Sequence, residues 1–158
     1  MALDNYALVY LILATICIQH TLACSCMWAP NFPDRYCSSG FVFRGNVLSE
    51  TIDQKGNFGF EDKYVYTVEV NKVYKSTELA EEKVSGNNTV QLETPKYGSL
   101  CGKPLMPDTE YLISVTPYMI ARESKVMGIN MCAWIEEYHH VPQADKQALD
   151  DEVECGFD

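Results

Sequence analysis

From its amino end the chain begins with an apolar run, Ala7 to Ile18, and then passes into segments where hydrophobic and polar residues alternate. In YVYTVEVNKVYK, Tyr66, Val68 and Val70 fall on one face and Thr67, Glu69 and Asn71 on the other, the period of two of a half-buried strand. Val73 breaks that register, which predicts a bulge near Asn71. TVQLET repeats the alternation with Val90 and Leu92 inward, and EYLISVTP does so around Tyr111, Ile113 and Val115. GFVFRGNVL, Gly40 to Leu48, is a further β-rich run in which Gly45 permits a bulge or sharp coil, and VMGINMCAW supplies a fifth strand. The pattern predicts five strands, mostly antiparallel.

Between the first two strands, KGNFGF carries glycines and Asn57 suited to a projecting hairpin tip. Helical signals lie at the margins: Pro33 to Cys37, Thr77 to Lys83, and Pro142 to Val153, where Pro142 suits the first turn and Ala144, Ala148, Leu149 and Val153 approximate one apolar stripe. Five strands with short flanking helices fit a mainly β domain, an OB-like barrel in partly open closure.

The opening apolar run spans about a dozen residues, too few to cross a bilayer. It is followed by QHTLA, with small residues at Thr21 and Ala23, the form of a secretory signal cleaved after Ala23. Residues 1–23 are therefore expected to leave, and residues 24–158 to form one domain undivided by any Gly, Ser or Pro linker. No basic stop-transfer flank follows, so a membrane anchor is not expected.

Cleavage changes the cysteine arithmetic. Of seven cysteines Cys17 goes with the signal, and Cys24, Cys26, Cys37, Cys101, Cys132 and Cys155 remain. An even six in a secreted chain suggests three disulfides, and spacing does not choose among the fifteen pairings. Asn87-Asn88-Thr89 is a glycosylation acceptor at Asn87. The mature chain carries 12 Lys and Arg against 21 Asp and Glu, a formal charge of −9, which argues against nucleic acid and anionic membranes as partners. The acidic cluster Asp150, Asp151, Glu152 and Glu154 reads as a solvated helix face.

The motifs of catalysis do not occur: there is no HExxH, no GxSxG and no phosphate-cradling loop, and the thiols are spent in disulfides. His139 and His140 are neighbours whose side chains diverge on a regular helix or strand, so they read as exposed loop residues and not as a grip on one metal. Neither enzymatic activity nor a cofactor of the protein's own is expected. The stretch CSC, Cys24 to Cys26, is different. Residues i and i+2 of an extended segment project to the same side, and bridging them to each other would close a strained small ring, so each needs a distant partner. Two bridges would then pin the first three mature residues, where chain ends normally fray. A fixed terminus presents an α-amine of reference pKa about 7.7 to 8.0, with the carbonyl oxygen of the same residue a five-membered chelate away. Together they make a bidentate metal ligand.

These residues resemble the tissue inhibitors of metalloproteinases, specifically the family's amino-terminal netrin-like domain. The resemblance rests, in order, on CSC with a third cysteine about a dozen residues on (Cys37), FVFRGNV, YTVEVNKVYK, TPKYGSLCG, EYLIS followed by MCAW, and Cys155 as the sixth cysteine. It covers essentially all of the mature chain. It implies a netrin-like, OB-like barrel with disulfides joining Cys24 to Cys101, Cys26 to Cys132 and Cys37 to Cys155. It further implies a secreted, extracellular, monomeric inhibitor of zinc metalloproteases. On the family's pattern the Cys24 amine and carbonyl chelate the protease's catalytic zinc. Ser25 then enters the pocket for the first side chain beyond the scissile bond, and Cys26 and Met27 continue along the cleft. Tyr97, Gly98, Ser99 and Leu100 form a second strip clamped beside the terminus. Trp28 stands where the family commonly has Pro and is expected to pack on the barrel. The second six-cysteine domain of the vertebrate members is not expected. The rival class is a non-inhibitory netrin-like module that uses the same barrel for extracellular binding.

Overall fold

The computed structural model describes residues 24–26, 31–54, 61–151 and 153–156. The signal segment, Met27, Trp28 and the KGNFGF tip lie outside the described residues. In chain order the elements are α1 (Phe32–Cys37), β1 (Phe41–Asp53), β2 (Lys63–Lys75), α2 (Glu78–Glu81), β3 (Thr89–Pro95), β4 (Glu110–Val115), β5 (Met127–Gly128), β6 (Ile135–Glu137) and α3 (Gln143–Asp150), with 3-10 turns at Gly98–Leu100 and Pro117–Met119. The strands form one mixed sheet in the order β5-β3-β2-β1-β4-β6, antiparallel except between β3 and β5.

The long strands follow their alternation. Tyr66 and Val68 of β2, Val90 and Leu92 of β3, and Tyr111, Ile113 and Val115 of β4 point into the main core with Phe41 and Phe43 of β1. β1 and β4 are covered on their other face as well. Val42 and Leu112 meet Tyr36 of α1, Leu149 of α3, Trp134 and Val141 in a second cluster. Burial on both faces is why Phe41, Val42 and Phe43 of β1 and every residue from Tyr111 to Val115 of β4 are buried.

β1 can serve both β2 and β4 because it coils. Its pairing with β2 slips three times, and at Arg44/Gly45 the unpaired extra residue on β2 is Asn71, the position where the broken register predicted a bulge. A side chain at Gly45 would meet the Glu69 carbonyl oxygen at 2.6 Å, so only glycine lets the two strands approach here.

Helix starts follow their caps. The Asn31 side chain accepts the Asp34 N–H at 3.0 Å with Pro33 in the first turn of α1, and Thr77 Oγ1 accepts the Ala80 N–H at 3.3 Å to open α2. α3 is shorter than its apolar stripe suggested: Ala144 is exposed, the helix ends at Asp150, and Val153 packs from beyond it. From the acidic end of α3, Asp150 reaches Lys72 of β2 at 2.5 Å.

The strand count and the closure differ from expectation. VMGINMCAW is not one strand. Its first residues form the two-residue β5; the chain then turns at Asn130, whose side chain accepts the Cys132 N–H at 2.9 Å and whose carbonyl accepts the Ala133 N–H at 3.0 Å. β6 starts only at Ile135 and pairs with β4. Among the described residues there are therefore six strands and no ladder joins β5 to β6, so the sheet is not closed into a barrel. Among the described residues no helix is long and apolar enough to cross a membrane.

Candidate functional site: the disulfide-pinned CSC strip

Three disulfides are present, Cys24–Cys101, Cys26–Cys132 and Cys37–Cys155, the same pairs that the resemblance implies. Their Cα separations are 5.7, 5.2 and 5.5 Å, within the range a disulfide spans without moving the backbone. The third bridge ties the end of α1 to the carboxyl-terminal segment, under the second core cluster. The first two hold the CSC strip.

Cys24 is half-buried, while Ser25 and Cys26 are exposed. The Cys24 sulfur lies 3.9 Å from the Gly98 carbonyl oxygen; being oxidised it has no proton to donate, so this is a packing contact. The two anchors, Cys101 and Cys132, are not independent. The Met131 N–H donates to the Cys101 carbonyl at 2.9 Å, which joins the loop carrying one bridge to the turn carrying the other.

Tyr97, Gly98, Ser99 and Leu100 are all exposed, with Gly98 against the Cys24 sulfur. They form a tight turn: the Leu100 N–H bonds the Tyr97 carbonyl at 3.0 Å, and the Cys101 N–H bonds the Gly98 carbonyl at 3.0 Å. Cys101 sits in the left-handed region, φ 64° and ψ 24°, a conformation that disfavours a non-glycine residue by about 1 to 2 kcal/mol. The disulfide and the turn's own hydrogen bonds hold it there. At Gly102 an added Cβ would stand 2.0 Å from the Pro95 carbonyl oxygen, so the turn folds flat onto the end of β3 only because this residue has no side chain. Two buried polar groups fix the flanks: Asp62 accepts the Lys96 N–H through its backbone carbonyl at 2.9 Å, and Thr94 Oγ1 accepts the Lys103 N–H at 2.9 Å.

Beyond the turn the chain is tied to the core. The phenol of Tyr66, fully buried, accepts the Leu105 N–H at 3.1 Å, and burial pushes its pKa well above the ordinary tyrosine value. The Asp108 N–H donates to the Val47 carbonyl at 2.8 Å. A groove of about 850 Å³ runs beside Cys26, Met131 and Cys132, with Trp134 in its wall and Arg35 and Lys103 on its lining.

The structure thus brings Cys24, Ser25 and Cys26 beside the Gly98, Ser99 and Leu100 strip, while Met27 lies outside the described residues. Met131 was missed in the sequence: it is exposed beside Cys132 and carries the hydrogen bond that couples the two anchors. Its only signal was its position next to a bridged cysteine.

A small β domain that uses two disulfides to fix the Cys24 to Cys26 segment close to a second, exposed strip presents a preorganised surface to a partner. The chain belongs to the tissue inhibitor of metalloproteinase family, whose model matches residues 22–156. Comparison with individual curated proteins gives no match. Members of this family are non-enzymatic inhibitors, so the protein is a metalloproteinase inhibitor in the general sense and metalloproteinases are its partners. The family and the three disulfides together fit an extracellular, oxidising setting.

Proposed function

We propose that the mature protein, released by cleavage after Ala23, inhibits zinc metalloproteases through the backbone of Cys24. The α-amine nitrogen and carbonyl oxygen of that residue serve as a bidentate ligand for the catalytic zinc of the protease. A catalytic zinc with three protein ligands keeps a position for water, and the Cys24 chelate takes that position without presenting a hydrolysable bond. Ser25 occupies the pocket next to the zinc, Cys26 and Met27 extend along the cleft, and Gly98, Ser99 and Leu100 enter beside them.

The observation that carries this reading is the double tether. Cys24 and Cys26 are each bridged to a separate loop, and those loops are joined by the Met131 to Cys101 hydrogen bond of 2.9 Å. The strip is ordered before a protease arrives, so binding loses little chain entropy. In the same reading the protein acts as a secreted monomer with no cofactor of its own and no nucleic-acid or membrane partner. Asn87, exposed, with its side-chain oxygen accepting from Thr89 Oγ1 at 3.0 Å, is its glycosylation site.

An amino-terminal extension by one alanine tests the chelation. The extended protein keeps its fold and its three disulfides, but the Cys24 nitrogen becomes an amide, and inhibition of a metalloproteinase catalytic domain is expected to disappear. Inhibition equal to that of the unextended protein would overturn the mechanism.

A further inference from the structure

We propose that Glu137, His139 and His140 form a binding site for a transition-metal dication of the zinc and copper class, separate from the terminal strip. On a regular strand or helix, adjacent histidines diverge. Here β6 ends at Glu137 and the chain enters a turn in which the His140 N–H donates to the Glu137 carbonyl at 2.8 Å. The turn swings the two imidazoles together, with ring centroids 3.8 Å apart, and both face the same carboxylate oxygen: His139 Nδ1 lies 3.6 Å and His140 Nδ1 3.8 Å from Glu137 Oε2.

Those separations are longer than hydrogen bonds. They are close to the spacing of about 3.3 to 3.4 Å between ligands around a tetrahedral zinc with bonds of about 2.0 to 2.1 Å. One ligand atom from each of the three residues falls within 4.8 Å of the others, so small side-chain rotations complete the set. Two imidazoles and one carboxylate suit zinc, copper or nickel, whereas calcium and magnesium take all-oxygen shells. The remaining coordination positions face solvent, since the side chains of His139, His140 and Glu137 are 68%, 64% and 37% exposed.

The scaffold under the turn is fixed on both sides. The Tyr138 N–H donates to the Glu110 carbonyl at 2.8 Å, and the guanidinium of Arg44 and the ammonium of Lys146 lie 4.9 and 4.8 Å from the centre of its ring. Val141, just past the histidines, is buried in the second core cluster. The ligands therefore hang from an anchored backbone, which limits the ordering that metal binding requires. Glu137 stands at the far end of β6, where it pairs with Tyr111, and Cys132 lies just before the near end.

The test is calorimetric titration of the mature, disulfide-intact protein with Zn²⁺, alongside His139→Ala, His140→Ala, the double histidine variant and Glu137→Gln. To remove the terminal amine as a competing ligand, every protein carries an acetylated α-amine. Expected is one equivalent of Zn²⁺, weakened about tenfold or more by each histidine substitution, abolished in the double variant and reduced by Glu137→Gln. Cu²⁺ in the same site should show two nitrogen ligands by electron paramagnetic resonance. Absence of Zn²⁺ binding overturns the proposal, as does binding that survives the double histidine substitution unchanged.

Discussion

Breaking the Cys24–Cys101 bridge separates what the disulfides do for stability from what they do for inhibition. In the proposed mature protein, replacing both cysteines by serine keeps the residue 24 backbone and its amine while Cys26–Cys132 still tethers the strip. The bridge closes a separation of 77 residues, for which the loop-entropy relation gives about 4.5 kcal/mol. The same relation gives about 4.9 kcal/mol for Cys37–Cys155, which closes 118 residues and lies away from the strip. The two double variants should thus lose comparable stability in urea unfolding followed by tryptophan fluorescence. Their inhibition should diverge. Without its bridge the first two residues of the strip must be ordered on binding, at about 1 to 2 kcal/mol per residue. That weakens inhibition about 30- to 700-fold, at 1.4 kcal/mol per factor of about ten. The Cys37→Ser/Cys155→Ser variant, titrated against the same protease where it is folded, should inhibit as the parent does. Equal losses of inhibition in the two variants, or full inhibition by the protein lacking the terminal bridge, would refute the idea that preorganisation of the strip drives binding.

Gly102→Ala should destabilise the protein by about 1 to 3 kcal/mol, because its Cβ would stand 2.0 Å from the Pro95 carbonyl oxygen and the turn must shift; chemical denaturation measures the loss, and an unchanged midpoint would contradict the close approach. Tyr66→Phe leaves the Leu105 N–H without its buried acceptor and should reduce stability by about 1 to 3 kcal/mol in the same assay. Burial raises the Tyr66 pKa, so its contribution is fully present below the unfolded tyrosine value of about 10 and is lost as pH rises through the folded value. Stability measured above pH ~10 should fall, and should fall less steeply in Tyr66→Phe. Expressed through a secretory pathway, the protein should carry glycan mass that Asn87→Gln removes, read by mass spectrometry.

Much of the fold was readable from the chain because alternation is a local property. The inward faces of β2, β3 and β4 and the bulge at Asn71 depend on neighbours a few residues away, and the structure shows each of them. VMGINMCAW misled for a local reason too: the Asn130 side chain bonds its own backbone and turns a β-rich run back on itself, leaving β5 two residues long.

What the chain alone established is a mainly β domain, its six paired cysteines, and, through the ordered motifs, its family. Tertiary structure decided the open six-stranded order, the coupling of Cys101 to Cys132 through Met131, and the meeting of His139 and His140 over Glu137. Periodicity reports which face of an element is buried. It carries no information on which loops, up to 118 residues apart, are brought into contact, nor on how a turn rotates adjacent side chains toward one point.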